Sequence, residues 1–183
     1  VQNLFVDKLS AFINQLSQKT KFYEKHGDTL EESYERVSFL KNVIENKDGY
    51  RLFYINGKPI KRESDIHIMF RLTWFASPSA VSREANEGRG PVDFVISRGA
   101  FDKTLVEFKL ASNTKLSQNL DNQVEIYKKA HDTEKSIKVI LFFTEQEEKK
   151  VKKILEDLNI SNKKYVVLID ARKDNKISAS MVK

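Results

Sequence analysis

Apolar residues recur at helical spacing along the first stretch of the chain. Val1, Leu4, Phe5, Phe12, Ile13 and Leu16 fall on one stripe and predict a helix over residues 1–17. A second helix is expected from Asp28, where Asp28-Thr29-Leu30-Glu31 has the spacing of a capping box, to about Asn46. Asp48-Gly49 and Asn56-Gly57 bracket the aromatic run Tyr50–Tyr54, which reads as a short strand or hairpin. A third helix is predicted from about Glu63 to Phe75, with Ile66, Met69, Phe70 and Trp74 inward. From residue 80 the pattern changes to strands alternating with helices. Strands are expected at Pro91–Ser97 and Lys103–Ala111, then a helix from about Leu116 to His131. Ile137–Phe143 is nearly all apolar, as in a central strand covered on both faces. Thr144-Glu145-Gln146-Glu147 caps a further helix running to Leu158, and Tyr165–Ile169 is a last strand. Two strand–helix–strand crossovers after an antiparallel hairpin imply an α/β fold, a mixed β-sheet flanked by helices. Residues 1–60 are expected as a helical N-terminal extension and residues 61–183 as the core.

Composition narrows the chemistry. The 183 residues include no cysteine, which removes disulfides, thiolate metal sites and thiol nucleophiles, and suits a reducing, cytoplasmic setting. No apolar run is long enough to cross a bilayer. The start Val1-Gln2-Asn3-Leu4-Phe5 has neither the form of a signal peptide nor a Met, and a longer parent chain is expected. The net charge of +6 is compatible with a polyanionic partner without demanding one, since much of the lysine, as in Lys149-Lys150 and Lys152-Lys153, is interleaved with glutamate on a helix face. His26, His67 and His131 are far apart and in no zinc-ligand pattern, so they are expected to be surface or rim residues. There is no G-x-S-x-G elbow and no phosphate-binding Walker loop.

The informative stretch is Pro91-Val92-Asp93-Phe94-Val95-Ile96-Ser97 with Thr104-Leu105-Val106-Glu107-Phe108-Lys109-Leu110-Ala111. Side chains alternate across a strand, so Asp93 shares a face with Val95, and Glu107 and Lys109 share one with Leu105. If the turn Arg98–Asp102 pairs Ser97 with Lys103, Asp93 comes opposite Glu107, with Cβ atoms about 5 Å apart. Converging carboxylates on a half-buried face repel each other, and a divalent cation relieves that; oxygen ligands suit Mg²⁺, with Mn²⁺ as a substitute. Lys109 would orient an attacking water and help it lose a proton, or stabilise the charge of the phosphorane. Taken alone, D…ExK also describes a cross-strand salt bridge on a solvated sheet face.

The surroundings resemble the PD-(D/E)XK, or restriction-endonuclease-like, nuclease superfamily. Asp93 lies on the first hairpin strand, Glu107-Phe108-Lys109 on the second, and Gln123-Val124-Glu125-Ile126-Tyr127 on the following helix is similar to the QxxxY motif of its RecB-like and exonuclease branches. The likeness covers roughly residues 61–170, and departs from the superfamily's name in having Val92 between Pro91 and Asp93. It implies that Asp93 and Glu107 bind metal, that Lys109 serves catalysis and that Gln123 and Tyr127 support the site. With Leu116 and Leu120, Gln123 and Tyr127 also share the helix face turned to the sheet. The resemblance also implies an extra carboxylate on the preceding helix, for which Glu63 is the candidate third metal ligand, in competition with Asp65, Glu84 and Glu87; helix capping is the plain alternative for Glu63 and Asp65. Arg89, between Gly88 and Gly90, is a phosphate-contact candidate or an exposed turn residue, and Arg83 and Lys115 are further phosphate contacts. Ala111-Ser112-Asn113-Thr114 would present amides and hydroxyls at a helix start. The expected function is metal-dependent hydrolysis of nucleic acid, DNA rather than RNA, with a homodimer supplying two sites where both strands are cut. The competing expectation is a module on the same fold that binds nucleic acid or docks a protein without turnover.

Overall fold

The structure, a computed structural model, describes residues 27–86, 91–120 and 133–176; the helix expected over residues 1–17 lies outside them. Helix α1 spans Thr29–Asn46 and α2 spans Ser64–Leu72, joined through a 3₁₀ turn at Gly49–Phe53 and a two-residue ribbon, β1 (Tyr54–Ile55) and β2 (Lys58–Pro59). Then come β3 (Ala80–Asn86), β4 (Pro91–Arg98), β5 (Asp102–Leu110), β6 (Ser136–Phe142), α3 (Glu145–Asp157) and β7 (Val166–Asp170), with residues 116–120 helical. The five long strands form one sheet in the order β3-β4-β5-β6-β7, antiparallel from β3 to β5 and parallel from β5 to β7. It is a mixed sheet with helices on both faces. Among the described residues no helix is long and apolar enough to cross a membrane.

Both expected N-caps form. The Asp28 carboxylate accepts from the Glu31 amide at 2.9 Å, and the Thr144 hydroxyl accepts from the Glu147 amide at 3.1 Å. Glu147 reaches back one residue further than the usual box and accepts from the Phe143 amide at 2.7 Å. Val37, Leu40 and Ile44 of α1 are sealed into the same core as Phe94, Ile96, Val106 and Phe108 of the sheet. The boundary expected at residue 60 is therefore no break in packing, because α1 is one of the layers covering the sheet. The opposite face carries Ile140 and Phe142 against Leu116, Leu120, Val151 and Leu155. The aromatic run Tyr50–Phe53 is a 3₁₀ turn, not a strand, since Phe53 must fold back into the core against α1. Gly49 sits where a Cβ would meet the Val43 carbonyl oxygen at 2.7 Å, so the close approach of this turn to α1 requires glycine. The hairpin itself is confined to Tyr54–Pro59, turning at Asn56 and Gly57, both with positive φ. Helix α2 stops at Leu72, three residues short of the expected end, and Trp74 is buried from the turn that follows.

A buried carboxylate ties α1 to the sheet. Glu32 accepts from Ser77 and Ser79 at 2.7 and 2.6 Å and pairs with Arg98 at 2.7 Å and Arg36 at 3.3 Å. Burial works to raise its pKa, but the two hydroxyls and two guanidinium groups outweigh that and hold it below the ordinary value of 4.5. A depressed folded-state pKa contributes stability that is complete above the unfolded value and is lost as pH falls. Glu32→Gln is thus expected to cost about 2–3 kcal/mol at neutral pH and to flatten the acid limb below pH 4.5. Urea melts of both proteins at about pH 7 and about pH 3.5 check this; an unchanged pH dependence in the variant would count against an ionised Glu32.

Candidate functional site

The hairpin keeps the expected register, from Arg98↔Asp102 and Ser97↔Lys103 to Phe94↔Val106. Beyond Phe94 the edge of β5 is met by side chains. On a strand, amides two residues apart point the same way. Those of Phe108 and Leu110 both point away from β6 and both find a carboxylate. The Phe108 amide donates to Asp93 Oδ2 at 2.7 Å, and the Leu110 amide donates to Glu63 Oε1 at 3.2 Å. Lys109 lies between them in sequence, with its Nζ 3.1 Å from Glu107 Oε1 and 3.5 Å from Glu63 Oε2. Glu63 makes no side-chain cap to its own helix; its Oε1 also accepts from Asn113 Nδ2 at 3.4 Å. Asp65 is turned away, 3.3 Å from Arg62. Of the carboxylates considered for this place, Glu63 lies beside Lys109 and Asp65 does not; the Glu84 side chain and Glu87 lie outside the described residues.

Burial separates this cluster from a surface salt bridge. Glu107 and Lys109 are only 8% and 9% exposed. Burial pushes the Glu107 carboxyl up and the Asp93 charge adds to that, against Lys109 and Lys138, which pull it down. Lys138, next to Glu107 across β5 and β6, is itself buried and donates to the Leu120 carbonyl at 2.6 Å. Asp93 goes the other way. Burial would raise it, but His67, Lys109 and the Phe108 amide hold it below the ordinary carboxylate value. Burial would likewise strip Lys109 of its proton, yet Glu107, Asp93 and Glu63 more than compensate and keep it charged.

His67 corrects an expectation. It is not a rim residue: it is 5% exposed, packed between the rings of Phe94 and Phe108 at 5.3 and 5.8 Å, with Nε2 3.4 Å from Asp93 Oδ2. That separation is long for a hydrogen bond, and both ring nitrogens are buried without a well-aligned partner among the described residues. The signal was present in the sequence. Glu63, His67, Phe70 and Trp74 follow the helical repeat of the inward stripe, so α2 delivers a carboxylate and an imidazole to the same strand edge.

The remaining expected residues are spread around this centre. Gln123, Tyr127 and Arg89 lie outside the described residues, as do His26 and His131. Arg83 is exposed on β3, beside the groove that His67 lines. Lys115 is exposed, its amide donating to Asn113 Oδ1 at 2.9 Å. Glu63, Asn113, Ser112 and Thr114 border an open depression of about 450 Å³ together with Lys61, which places the turn after β5 at the mouth of the cluster.

The donor set suits a hard divalent cation in kind. Asp93, Glu107 and Glu63 are oxygen ligands, and the raised Glu107 carboxyl marks a place where further positive charge is favourable. Among the described residues, no group of three or more His, Cys, Asp and Glu side chains is gathered tightly enough to enclose an ion. An ion held here would rest on two carboxylates and complete its sphere with water and substrate oxygens, the habit of Mg²⁺.

The chain belongs to the family described as Domain of unknown function (DUF8371), which it matches over residues 29–145, from the first turn of α1 to the start of α3. No curated protein and no solved structure matches it.

Proposed function

We propose that this member of the DUF8371 family is a Mg²⁺-dependent nuclease of the PD-(D/E)XK type that hydrolyses phosphodiester bonds, in DNA rather than RNA. The observation that carries the reading is the buried, charged Lys109 near the end of β5, in contact with the buried Glu107 and with Glu63 and within the field of Asp93. Asp93 and Glu107 would hold the metal, with Glu63 beside them. The bound ion would polarise the scissile phosphate and lower the pKa of its water. Lys109 stays protonated, so its part is that of a cation: it orients the attacking water and stabilises charge on the phosphorane, while proton acceptance falls to another group. The Phe108 amide holds the Asp93 carboxylate, with the His67 ring beside it.

Incubation with supercoiled plasmid in Mg²⁺ tests this. Nicked, linear or degraded products are expected with Mg²⁺ or Mn²⁺ and none in chelator. Asp93→Asn and Glu107→Gln are expected to lower the rate at least about 10²-fold. Cutting that survives chelation, or persists in both variants, would end the proposal.

One observation favours a second reading. Lys109 already neutralises two carboxylates, and such a self-contained cluster also suits a module that binds nucleic acid or docks a protein without turnover. Salt-sensitive binding with intact plasmid under every metal condition would identify that case.

A further inference from the structure

Helix α2 turns one face to the sheet and the other outward, and the outward face is apolar. Ile68, Leu72 and Phe75 follow one another at helical spacing at 60%, 66% and 88% exposure. Single exposed apolar side chains need no explanation, but three in a row mark a contact surface. Together with Trp74 and with Val81 of β3 they line an open groove of about 520 Å³. The exposed Arg71 and Arg83 also border it, and side chains of that length can lay their stems along an apolar occupant while their heads stay in water.

The same chain carries a second apolar surface in want of a partner. Val1, Leu4, Phe5, Phe12, Ile13 and Leu16 fall on one stripe of the sequence, with Asp7 and Asn14 on the opposite side. A helix of this length is marginal alone in water and draws its stability from burying such a stripe. Residues 1–26 lie outside the described residues, but the point where they join them is held in place. The Gly27 carbonyl accepts from Arg98 Nη1 at 2.5 Å, and Arg98 Nη2 and Nε donate to Ser79 Oγ at 3.2 and 3.3 Å. Ser79 lines the groove, so the segment joins the described fold at the groove's edge. Residues 18–26, at about 3.3–3.6 Å per residue, are long enough to carry the stripe back across it. So short a tether holds the stripe at an effective concentration of about millimolar, which favours it over a foreign apolar partner or a second copy.

We infer that the apolar stripe of residues 1–17 docks as a helix in the groove between α2 and β3, packing on Ile68, Leu72 and Phe75 and closing the groove over His67, which lines it. This contact involves neither metal nor substrate, and so stands whether or not the protein cuts nucleic acid.

The chain has no cysteine, so introduced pairs report on the contact without background. In the full chain, Leu72→Cys is combined with Phe12→Cys or Leu16→Cys on the stripe, or with Asn14→Cys on its opposite side, and treated with a short bismaleimide at low protein concentration. Crosslinks within one chain, read by mass and gel mobility, are expected to form roughly tenfold faster for the better stripe pair than for the Asn14→Cys pair. Phe12→Ser and Phe75→Ser are each expected to lower the melting midpoint, and the double variant by less than the sum, because the two side chains share one interface. Equal crosslinking rates for all three pairs, or fully additive midpoint shifts, would overturn the inference. So would crosslinks that form between chains and grow with concentration, which would give the face to a second copy.

Discussion

Lys109→Met is expected to reduce phosphodiester cleavage about 10³-fold while the protein remains folded. In the wild type the ammonium sits 3.1 Å from Glu107 and 3.5 Å from Glu63, and three carboxylates keep it charged against the pull of burial. Methionine fills much of the same volume but removes the charge, and so, on the proposed mechanism, both the donor for the attacking water and the stabilisation of the phosphorane. It also leaves Glu107 without its nearest positive partner. Burial and Asp93 already push that carboxyl up, so it is expected to bind a proton and become neutral, which limits the structural damage to less than an uncompensated buried charge would cause. Lys109→Arg separates charge from geometry. It keeps a cation beside Glu107 with a different donor fork, and is expected to fold as well as the wild type and to cut slowly. Cleavage rates with matched thermal melts check both variants. Lys109→Met cutting at the wild-type rate would remove the residue from the mechanism.

Phe70→Ala should produce the largest loss of stability, about 3–5 kcal/mol. Phe70 is fully buried, with ring centroids 5.0 Å from Phe94, 4.9 Å from Phe108 and 5.8 Å from Trp74, so it joins α2 to both strands of the hairpin. Truncation leaves a cavity between rigid rings that cannot close around it. For a domain of this length the midpoint should fall by roughly 10 °C, at about 2–4 °C per kcal/mol. Because Phe70 lies one turn from His67 and two from Glu63, the same cavity should loosen their hold on β5. Activity is then expected to fall at temperatures where the variant is still folded. A melting midpoint within about 2 °C of the wild type would contradict this account of the core.

The parts of this fold that were legible in the sequence are those where local chemistry agrees with burial. Asp28 and Thr144 announce helices because their side chains satisfy amides that the helix itself cannot. Ile137–Phe143 announces a central strand because both faces of β6 are covered. The hairpin register could be read because Gly99, with positive φ, allows a tight turn that pairs Arg98 with Asp102. Strand β3 gave no such signal. Ala-Val-Ser-Arg-Glu-Ala-Asn is the sequence of an edge strand with one neighbour, and the pairing with β4 that makes it a strand is not written in its own side chains. The aromatic run Tyr50–Phe53 misled for the opposite reason: aromatic residues suit strands in general, but Phe53 here serves the α1 interface. At the site, the shared face of Asp93, Glu107 and Lys109 was visible through strand alternation, while Glu63 came only from the resemblance, since its place before α2 equally suits a helix cap. His67 was overlooked because a histidine with no metal-ligand spacing gives no hint of burial until the helix face it belongs to is traced.

The bond from the Phe108 amide to Asp93 gives this aspartate a second occupation. It stands in for the carbonyl that a neighbouring strand would otherwise offer, and so anchors the main chain between Glu107 and Lys109. Truncation to alanine would therefore orphan an inward-facing main-chain donor, at about 1–3 kcal/mol. An inactive Asp93→Ala protein would, on the proposed mechanism, confound lost chemistry with a slackened strand. Asparagine, which keeps an acceptor oxygen in reach, is the substitution that interrogates the carboxylate's charge alone.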